Sequence, residues 1–332
     1  MDLKINDNFI FLLCSERSGS NFITKLMNNH SKICGPSTKH IINPVARNYF
    51  RYQPLHQSKQ WEALVDDILN LFNIEFSVWK SKFTKEELLD SIDYGDLSGL
   101  ITHFFNKEAN ANQKDLCFIK EIKAYEFYPF LRCYFKNAKF LYQVRDPRDM
   151  ALSWKKSKIH RGGIIEAAKQ WKTDQQQFIK IVEIEKLTNS IHFITYEDLV
   201  SRPEENLDST LDLLDLNFET DMLDTKKDSL TAKNANSQKA WENLSKPVMK
   251  NNFNKFEKEL SANEIRYVES ICYFEMKYFG YEALFDWDSL KKISTSEIKS
   301  YHVQENSHLE YNLTKGVKEN MQAKQRFYQH LK

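Results

Sequence analysis

The polar residues near the start of the chain, Ser15-Glu16-Arg17-Ser18-Gly19-Ser20-Asn21, have the types needed to hold an anion. A short loop that leads into a helix presents unpaired backbone N–H groups, and the helix dipole adds to their attraction for negative charge. Gly19 permits close backbone approach, and the flanking serines can donate hydroxyl hydrogen bonds. Arg17 offers a planar charged fork suited to phosphate or sulfate oxygens. The loop predicts an anion site, although an ordinary helix cap uses the same residues.

A second polar cluster begins at Arg145, directly after the apolar run 140–144. Asp146 and Pro147 are typical of a helix start, which places Arg145 at the carboxyl end of a strand and Ser153 on the next helix. Ligands bind at that edge of an open parallel sheet. Two interpretations are open: Arg145 and Ser153 bind the same ligand, or Arg145 pairs with a carboxylate while Ser153 only packs.

Together, the two stretches resemble the family of sulfotransferases that use 3′-phosphoadenosine 5′-phosphosulfate (PAPS). Residues 15–22 are similar to the family's 5′-phosphosulfate loop, and Arg145 with Ser153 to its 3′-phosphate site, where arginine and serine occur eight residues apart. Residues 196–203 are a third match, and Lys246-Pro247-Val248 with Gly280-Tyr281 is a weaker fourth. The resemblance covers about residues 8–285 and implies the P-loop-like sulfotransferase fold of a bacterial-type member.

The resemblance also implies how the donor is held. Arg17 would bind the bridging and sulfuryl oxygens as negative charge builds on the leaving phosphate. Apart from the resemblance, Lys120 and Lys123 are candidates to assist with charge on the sulfuryl group. The remaining residues implied to bind the two phosphates are Ser18, Gly19, Ser20 and Asn21 at the 5′ end, and Arg145 and Ser153 at the 3′ end.

Three further donor-site residues each have a structural alternative. Phe22 matches a position from which an aromatic ring stacks on adenine, but it would equally suit the core. Tyr196 would lie near the adenosine, or else be a strand-end aromatic residue with a hydrogen-bonded hydroxyl. Lys246 would reach the phosphosulfate, or else be a solvated lysine before a proline.

The sequence departs from the family's best-known patterns at the positions of the general base, the residue that takes the acceptor's proton. Cytosolic members place a histidine after a Lys-Thr pair, and residues 118–125 contain none. Tyrosylprotein members use a glutamate soon after the first helix, where residues 34–40 contain no carboxylate. His40 is the predicted general base, because it follows the segment that returns toward the loop at 15–21 and the pKa of an imidazole can be tuned close to neutrality. The alternative for His40 is a surface or capping histidine. Glu121 is the alternative base.

The elements that must position these residues follow from the hydrophobic pattern. Apolar runs of strand length alternate with helical patterns, which predicts a three-layer α/β/α fold with a central parallel sheet. The expected strands are residues 9–14, 116–122, 140–144 and 191–195. Helical periodicity at 61–72 and 85–105 predicts a helical insertion over about 45–115 that covers the acceptor side. The sulfotransferase domain is expected to span 1–288, and 289–332 to form a polar C-terminal extension.

Charge and cysteine usage argue against several protein classes. The chain carries 47 Lys plus Arg against 46 Asp plus Glu, which is too balanced for a general nucleic-acid binder. Five scattered cysteines without zinc-site spacing argue against a metal and favour a reducing, cytoplasmic compartment. No apolar stretch approaches the ~20 residues that span a membrane.

The sequence therefore predicts transfer of a sulfuryl group from PAPS to a hydroxyl, or an amine, of a small molecule or glycan. The transfer would proceed by in-line displacement and release adenosine 3′,5′-bisphosphate (PAP). A nucleotide-dependent phosphotransferase is one alternative, although residues 15–21 lack the Walker A lysine pattern. A non-catalytic sulfonucleotide-binding protein is another. Many family members are dimers, and the sequence leaves open whether this chain forms a homodimer.

Overall fold

A single parallel sheet organises the part of the chain described by the computed structural model, residues 9–74, 77–157, 160–224, 252–307 and 315–328. Its strands are β1 (Phe9–Cys14), β2 (Ile33–Cys34), β3 (Leu116–Lys120), β4 (Lys139–Val144) and β5 (Ile191–Thr195). Their order is β2-β3-β1-β4-β5, and every neighbouring pair is parallel. Four of the strands were predicted. The sequence did not reveal β2, because two residues carry no recognisable period.

Helices cover both faces of this sheet, as predicted for the three-layer fold. They are α1 (Ser20–Asn29), α2 (Ile42–Arg47), α3 (Ser58–Phe72), α4 (Lys85–Ser91), α5 (Leu97–Ala111), α6 (Tyr128–Tyr134), α7 (Pro147–Lys155), α8 (Gly163–Lys186), α9 (Tyr196–Ser201), α10 (Pro203–Asp212), α11 (Phe256–Glu259), α12 (Ala262–Tyr278), α13 (Trp287–Leu290), α14 (Thr295–Ser307) and α15 (Lys315–Tyr328). Short 3₁₀ helices lie at Tyr49–Tyr52, Ala124–Glu126 and Thr220–Leu223. Within the described ranges, no helix is long and apolar enough to cross a membrane.

The central strand β1 divides the core into two layers. Phe9, Phe11 and Leu13 point into the larger cluster, which includes side chains of α3, α5, α8 and α12. The alternate residues of the strand enter the smaller cluster with α1 and α10. This division follows from the period of two in a strand, whose successive side chains point to opposite faces. All six residues of β1 are buried, so the loop that follows starts from a fixed position.

The helical region between β2 and β3 shares the larger core with the sheet. The ring centroid of Phe105 on α5 lies 5.8 Å from that of Phe9 on β1. The predicted helix over 85–105 is in fact two helices, α4 and α5. Asp96 separates them, because its carboxylate accepts a hydrogen bond from the Gly99 amide at 2.8 Å and caps α5.

Part of the predicted C-terminal extension folds back onto the body of the protein. Helix α15 packs against α2 and α3. Phe327 on α15 is fully buried, and its ring centroid lies 6.1 Å from that of Tyr52.

Candidate active site

The loop at residues 15–19, here called the donor loop, connects the end of β1 to α1 through two residues with positive φ. Arg17 has φ 64° and Gly19 has φ 88°. The Ser18 hydroxyl donates to the Ser15 carbonyl at 2.7 Å. Gln143, near the end of β4, donates from its side-chain amide to the Ser18 carbonyl at 2.6 Å. These bonds stabilise an unusual backbone conformation of the kind that is concentrated at ligand sites.

Two features require a glycine at position 19: its positive φ and its close contact with Tyr196. A Cβ atom at this position would lie 2.4 Å from Cδ2 of Tyr196. The tyrosine cannot easily withdraw, since its hydroxyl accepts a hydrogen bond from Asn252 at 2.6 Å and the Arg145 guanidinium lies 4.4 Å from its ring centroid. Tyr196 therefore packs directly on the donor loop at the end of β5.

Replacing Gly19 with alanine is expected to destabilise the protein by about 2 kcal/mol or more, because steric overlap adds to backbone strain. Urea unfolding monitored by circular dichroism measures this change. Gly280→Ala is the matched control: its φ is 78°, but an added Cβ atom meets nothing within 4 Å. Equal losses of stability in the two variants would mean that contact with Tyr196 contributes nothing.

The two predicted anion motifs meet in space. Arg17 Nε donates to Ser153 Oγ at 3.0 Å, and Arg145 Nη1 donates to the Arg17 carbonyl oxygen at 3.2 Å. Ser153 therefore contacts the arginine of the first motif, although the resemblance paired it with Arg145. In this way α7 and the donor loop form one continuous surface.

Arg145 carries hydrogen-bonding capacity that the described residues do not use. Its Nε atom is buried without a hydrogen-bond partner among them. The nearest carboxylate, that of Asp149, is 3.9 Å away and accepts hydrogen bonds from the backbone amides of Asn254 and Phe256. An ion pair with Asp149 therefore does not account for the position of Arg145. Its buried, unpaired Nε is a hydrogen-bond donor that an anionic ligand could use.

The positive charge at this surface is concentrated. Burial lowers the pKa of Arg17 from its usual value, and the neighbouring charge of Arg145 lowers it further. An arginine nevertheless stays protonated at physiological pH, so both side chains remain cations. Arg17 forms no ion pair with a carboxylate in the described part of the chain. Two adjacent guanidinium groups therefore favour binding of a ligand with more than one negative charge.

The remaining donor-site candidates lie around the loop. Phe22 is partly buried on α1, and its ring stands edge-on to Tyr196 with centroids 6.5 Å apart. Asn21 accepts a hydrogen bond at 2.6 Å from Lys120 Nζ, which belongs to the end of β3. Ser20 is buried at the first position of α1. Lys246 lies outside the described residues.

The two candidate bases form a pair. His40 Nδ1 and Glu121 Oε2 are hydrogen-bonded at 3.2 Å, and Glu121 Oε1 accepts from the Ile42 amide at 3.2 Å. Glu121 directly follows β3, which ends at Lys120 and not at residue 122 as predicted. Both side chains line a pocket with Thr38 and Trp79. The carboxylate thus orients the imidazole through its Nδ1 atom.

The surroundings of His40 favour its uncharged form. Burial lowers its pKa below the usual 6.5, and the positive charge of Lys324 lowers it further. The hydrogen bond to Glu121 acts in the opposite direction without reversing the shift. A neutral imidazole at physiological pH can accept a proton, so this environment suits a general base.

Sequence reasoning missed a second acid–histidine contact beside the donor loop. Glu16 Oε2 lies 3.6 Å from His160 Nε2, and Ser157 Oγ lies 2.7 Å from His160 Nδ1. Burial alone raises the pKa of Glu16, but the hydrogen bond and charge of His160 bring it down to about 2. Because Glu16 and His160 are 144 positions apart, no local sequence pattern predicts their contact.

Buried amides that brace the site were also missed. Gln175 on α8 donates to Ser15 Oγ at 2.9 Å, and Gln143 supports the donor loop from β4. Gln143 did leave a signal, since it is a polar residue inside an otherwise apolar strand. In the described ranges, no cluster of three or more His, Cys, Asp or Glu side chains is suited to a metal ion.

Comparisons with known proteins agree on one family and one fold. Residues 9–220 match the model of the Sulfotransferase family. The fold is similar to the sulfotransferase domain from the Synechococcus olefin synthase, with TM-score 0.56 and 16% identity over 85% of this chain and 98% of that one. The sulfotransferase domain from the curacin biosynthetic pathway gives TM-score 0.54 and 17% identity over 83% and 98%. No curated protein matches the chain by sequence.

Proposed function

Since the chain belongs to the sulfotransferase family, we propose that it transfers a sulfuryl group from PAPS to a hydroxyl or amine of an acceptor. The observation that carries the proposal is the contact between the two anion motifs, in which Arg17 reaches Ser153 and Arg145 reaches the donor loop. A nucleotide with phosphate groups at both its 5′ and 3′ positions matches such a two-part cationic surface. The buried, unpaired Nε of Arg145 supports a ligand at the second part.

The residues of the donor loop and α1 would hold the 5′ end of the donor. Backbone N–H groups at the start of α1, with the side chains of Ser20 and Asn21, provide hydrogen-bond donors there. The Ser18 hydroxyl donates to the Ser15 carbonyl, so Ser18 would contribute by holding the loop in shape. Arg17 and Lys120 would stabilise charge on the leaving phosphate. PAPS supplies a sulfuryl group whose bond to that phosphate breaks as the acceptor oxygen or nitrogen bonds to sulfur. No metal is needed in this proposal, because cations of the chain neutralise the charge.

At the 3′ end, Arg145 would bind the phosphate that distinguishes PAPS from most adenine nucleotides. Ser153 would contribute a hydroxyl while it keeps Arg17 oriented. Tyr196 and Phe22 meet edge to face beside the donor loop, which supports a role next to the adenosine.

His40 would take the proton that the acceptor loses during attack. Its Nε2 is the receiving atom, because Nδ1 is hydrogen-bonded to Glu121. Trp79 and Phe105 are the aromatic residues beside this small pocket, and an acceptor would approach His40 from this side. A reducing, cytoplasmic setting is part of the proposal and is supported by the five cysteines, all of which are free thiols.

The donor assignment predicts selective stabilisation by PAP. At a concentration 100-fold above its Kd, PAP is expected to raise Tm by about 3 °C or more, while ATP at the same concentration has little effect. Arg145→Met is expected to weaken PAP binding by about 100-fold, since it removes charge-assisted hydrogen bonds. Thermal shift for Tm and calorimetry for Kd measure these effects.

The matched control is Arg202→Met, which removes an exposed arginine outside the site. Its PAP affinity is expected to equal that of the wild type. Preferential stabilisation by ATP would instead favour a phosphotransferase. An unchanged PAP affinity in Arg145→Met would remove the 3′-phosphate role from that residue.

A further inference from the structure

The C-terminal helix α15 presents one buried face to the body of the protein. Asn320, Ala323 and Phe327 on this face are all buried. Lys324 belongs to the same face, because residues spaced by three and four lie on one side of a helix. The helix packs against α2, which begins two residues after His40. Lys324 thereby lies on the side of α15 that faces the body of the protein, where α2 follows His40.

The ammonium group of Lys324 is not neutralised by a direct partner. It forms no hydrogen bond or ion pair within the part of the chain that the structure describes, although its side chain is partly buried. Burial lowers the pKa of Lys324, while the nearby charges of Glu121 and Glu16 oppose the shift. Both carboxylates are engaged elsewhere, Glu121 with His40 and Glu16 with His160.

Three groups interact electrostatically with Lys324, and all three belong to the candidate active site. Glu16 belongs to the donor loop, and Glu121 follows β3 beside Lys120. His40, whose pKa the charge of Lys324 lowers, is the proposed proton acceptor. In the proposed transfer, the sulfuryl group passes between the donor loop and His40. Lys324 is thus placed on the helix that borders this path.

We propose that Lys324 binds the sulfuryl group of the donor, as a third cation beside Arg17 and Lys120, and that α15 thereby completes the active site. This inference rests on the proposed use of PAPS. The Lys324 ammonium group is partly buried and has no carboxylate partner among the described residues, so its three N–H donors can pair with sulfuryl oxygens. The helix lies beyond residues 9–220, which match the family model, so this contribution belongs to the chain's own C-terminal part.

Binding of PAPS and PAP to the full-length protein tests the inference, because the two nucleotides differ only in the sulfuryl group. Lys324→Met is expected to weaken PAPS binding about tenfold and to leave PAP binding unchanged. Lys324→Arg, which keeps the charge, is expected to restore most of the PAPS affinity. Lys318→Met is the matched control, since Lys318 is exposed on the same helix. Calorimetric titration measures all four proteins.

Equal effects of Lys324→Met on both nucleotides, or no effect on either, would overturn the sulfuryl-binding role. A wild-type protein that binds neither nucleotide would instead overturn the proposed donor, and the inference with it. Thermal unfolding without ligand shows whether each variant is folded. If Lys324→Met is unfolded, Lys324→Gln replaces it in the same comparison.

Discussion

Replacement of His40 by asparagine is expected to lower kcat for sulfuryl transfer by about 100- to 10,000-fold, the usual contribution of a general base. Asparagine suits the position, because it tolerates the left-handed backbone that gives His40 a φ of 56°. It cannot take a proton from the acceptor at neutral pH. PAP affinity is expected to stay unchanged, so the loss would lie in the chemical step. Radiolabelled PAPS, with an acceptor from a panel of alcohols, phenols, amines and glycans, provides the assay.

The pH dependence of the wild type follows from the pKa of His40. Because burial and the charge of Lys324 lower that pKa, the imidazole stays neutral until the pH falls below the ordinary value of 6.5. Activity is therefore expected to persist through neutrality and to decline on the acid side at a pH below 6.5.

Glu121→Gln keeps a hydrogen-bonding group beside His40 and is expected to lower kcat only about tenfold. If Glu121→Gln were the more damaging change, Glu121 and not His40 would be the base.

Replacement of Arg17 by methionine is expected to lower kcat by about 100- to 1000-fold, as when one charge-stabilising donor is removed from a transition state. The guanidinium is positioned by its hydrogen bond to Ser153, so the variant loses both the charge and its fixed orientation. Negative charge would then build on the leaving phosphate with Lys120 as its main neighbour. The same radiolabelled assay measures the loss.

The Arg17→Lys variant distinguishes the contribution of the positive charge to activity from that of the planar guanidinium geometry. Lysine retains the positive charge but lacks the planar fork. We expect this variant to keep more than about a tenth of wild-type activity, since the charge is the larger contribution. Equal losses in Arg17→Met and Arg17→Lys would show that the contact with Ser153 matters more than the charge.

The elements that carry the proposed donor site could be predicted because their signals are local. An apolar run, a polar loop with one glycine and a helical pattern follow each other within residues 9–29, and the structure places β1, the donor loop and α1 there. Arg145 was expected at a strand end, and β4 ends at Val144 immediately before it. Hydrophobic period and helix-start residues are sufficient for such conclusions.

The acceptor side could not be predicted to the same depth, because its contacts connect distant parts of the chain. His40 and Glu121 are 81 positions apart, and the sequence presented them as competing bases although they form one hydrogen-bonded pair. Lys324 lies in a segment whose composition indicated only a polar extension. Its position depends on how Phe327 packs beside Tyr52, which is a property of the folded core.

The most direct test of the account is the transfer of radiolabelled sulfur from PAPS by the wild type, His40→Asn and Arg17→Met, assayed side by side at equal concentrations. If PAPS is the donor, the wild type passes label to at least one acceptor of the panel. Both variants are expected to bind PAPS yet to transfer label at about one hundredth of the wild-type rate or less. Equal transfer by all three proteins would contradict the catalytic roles of His40 and Arg17. Tight PAPS binding by the wild type without transfer to any acceptor would contradict its assignment as an enzyme.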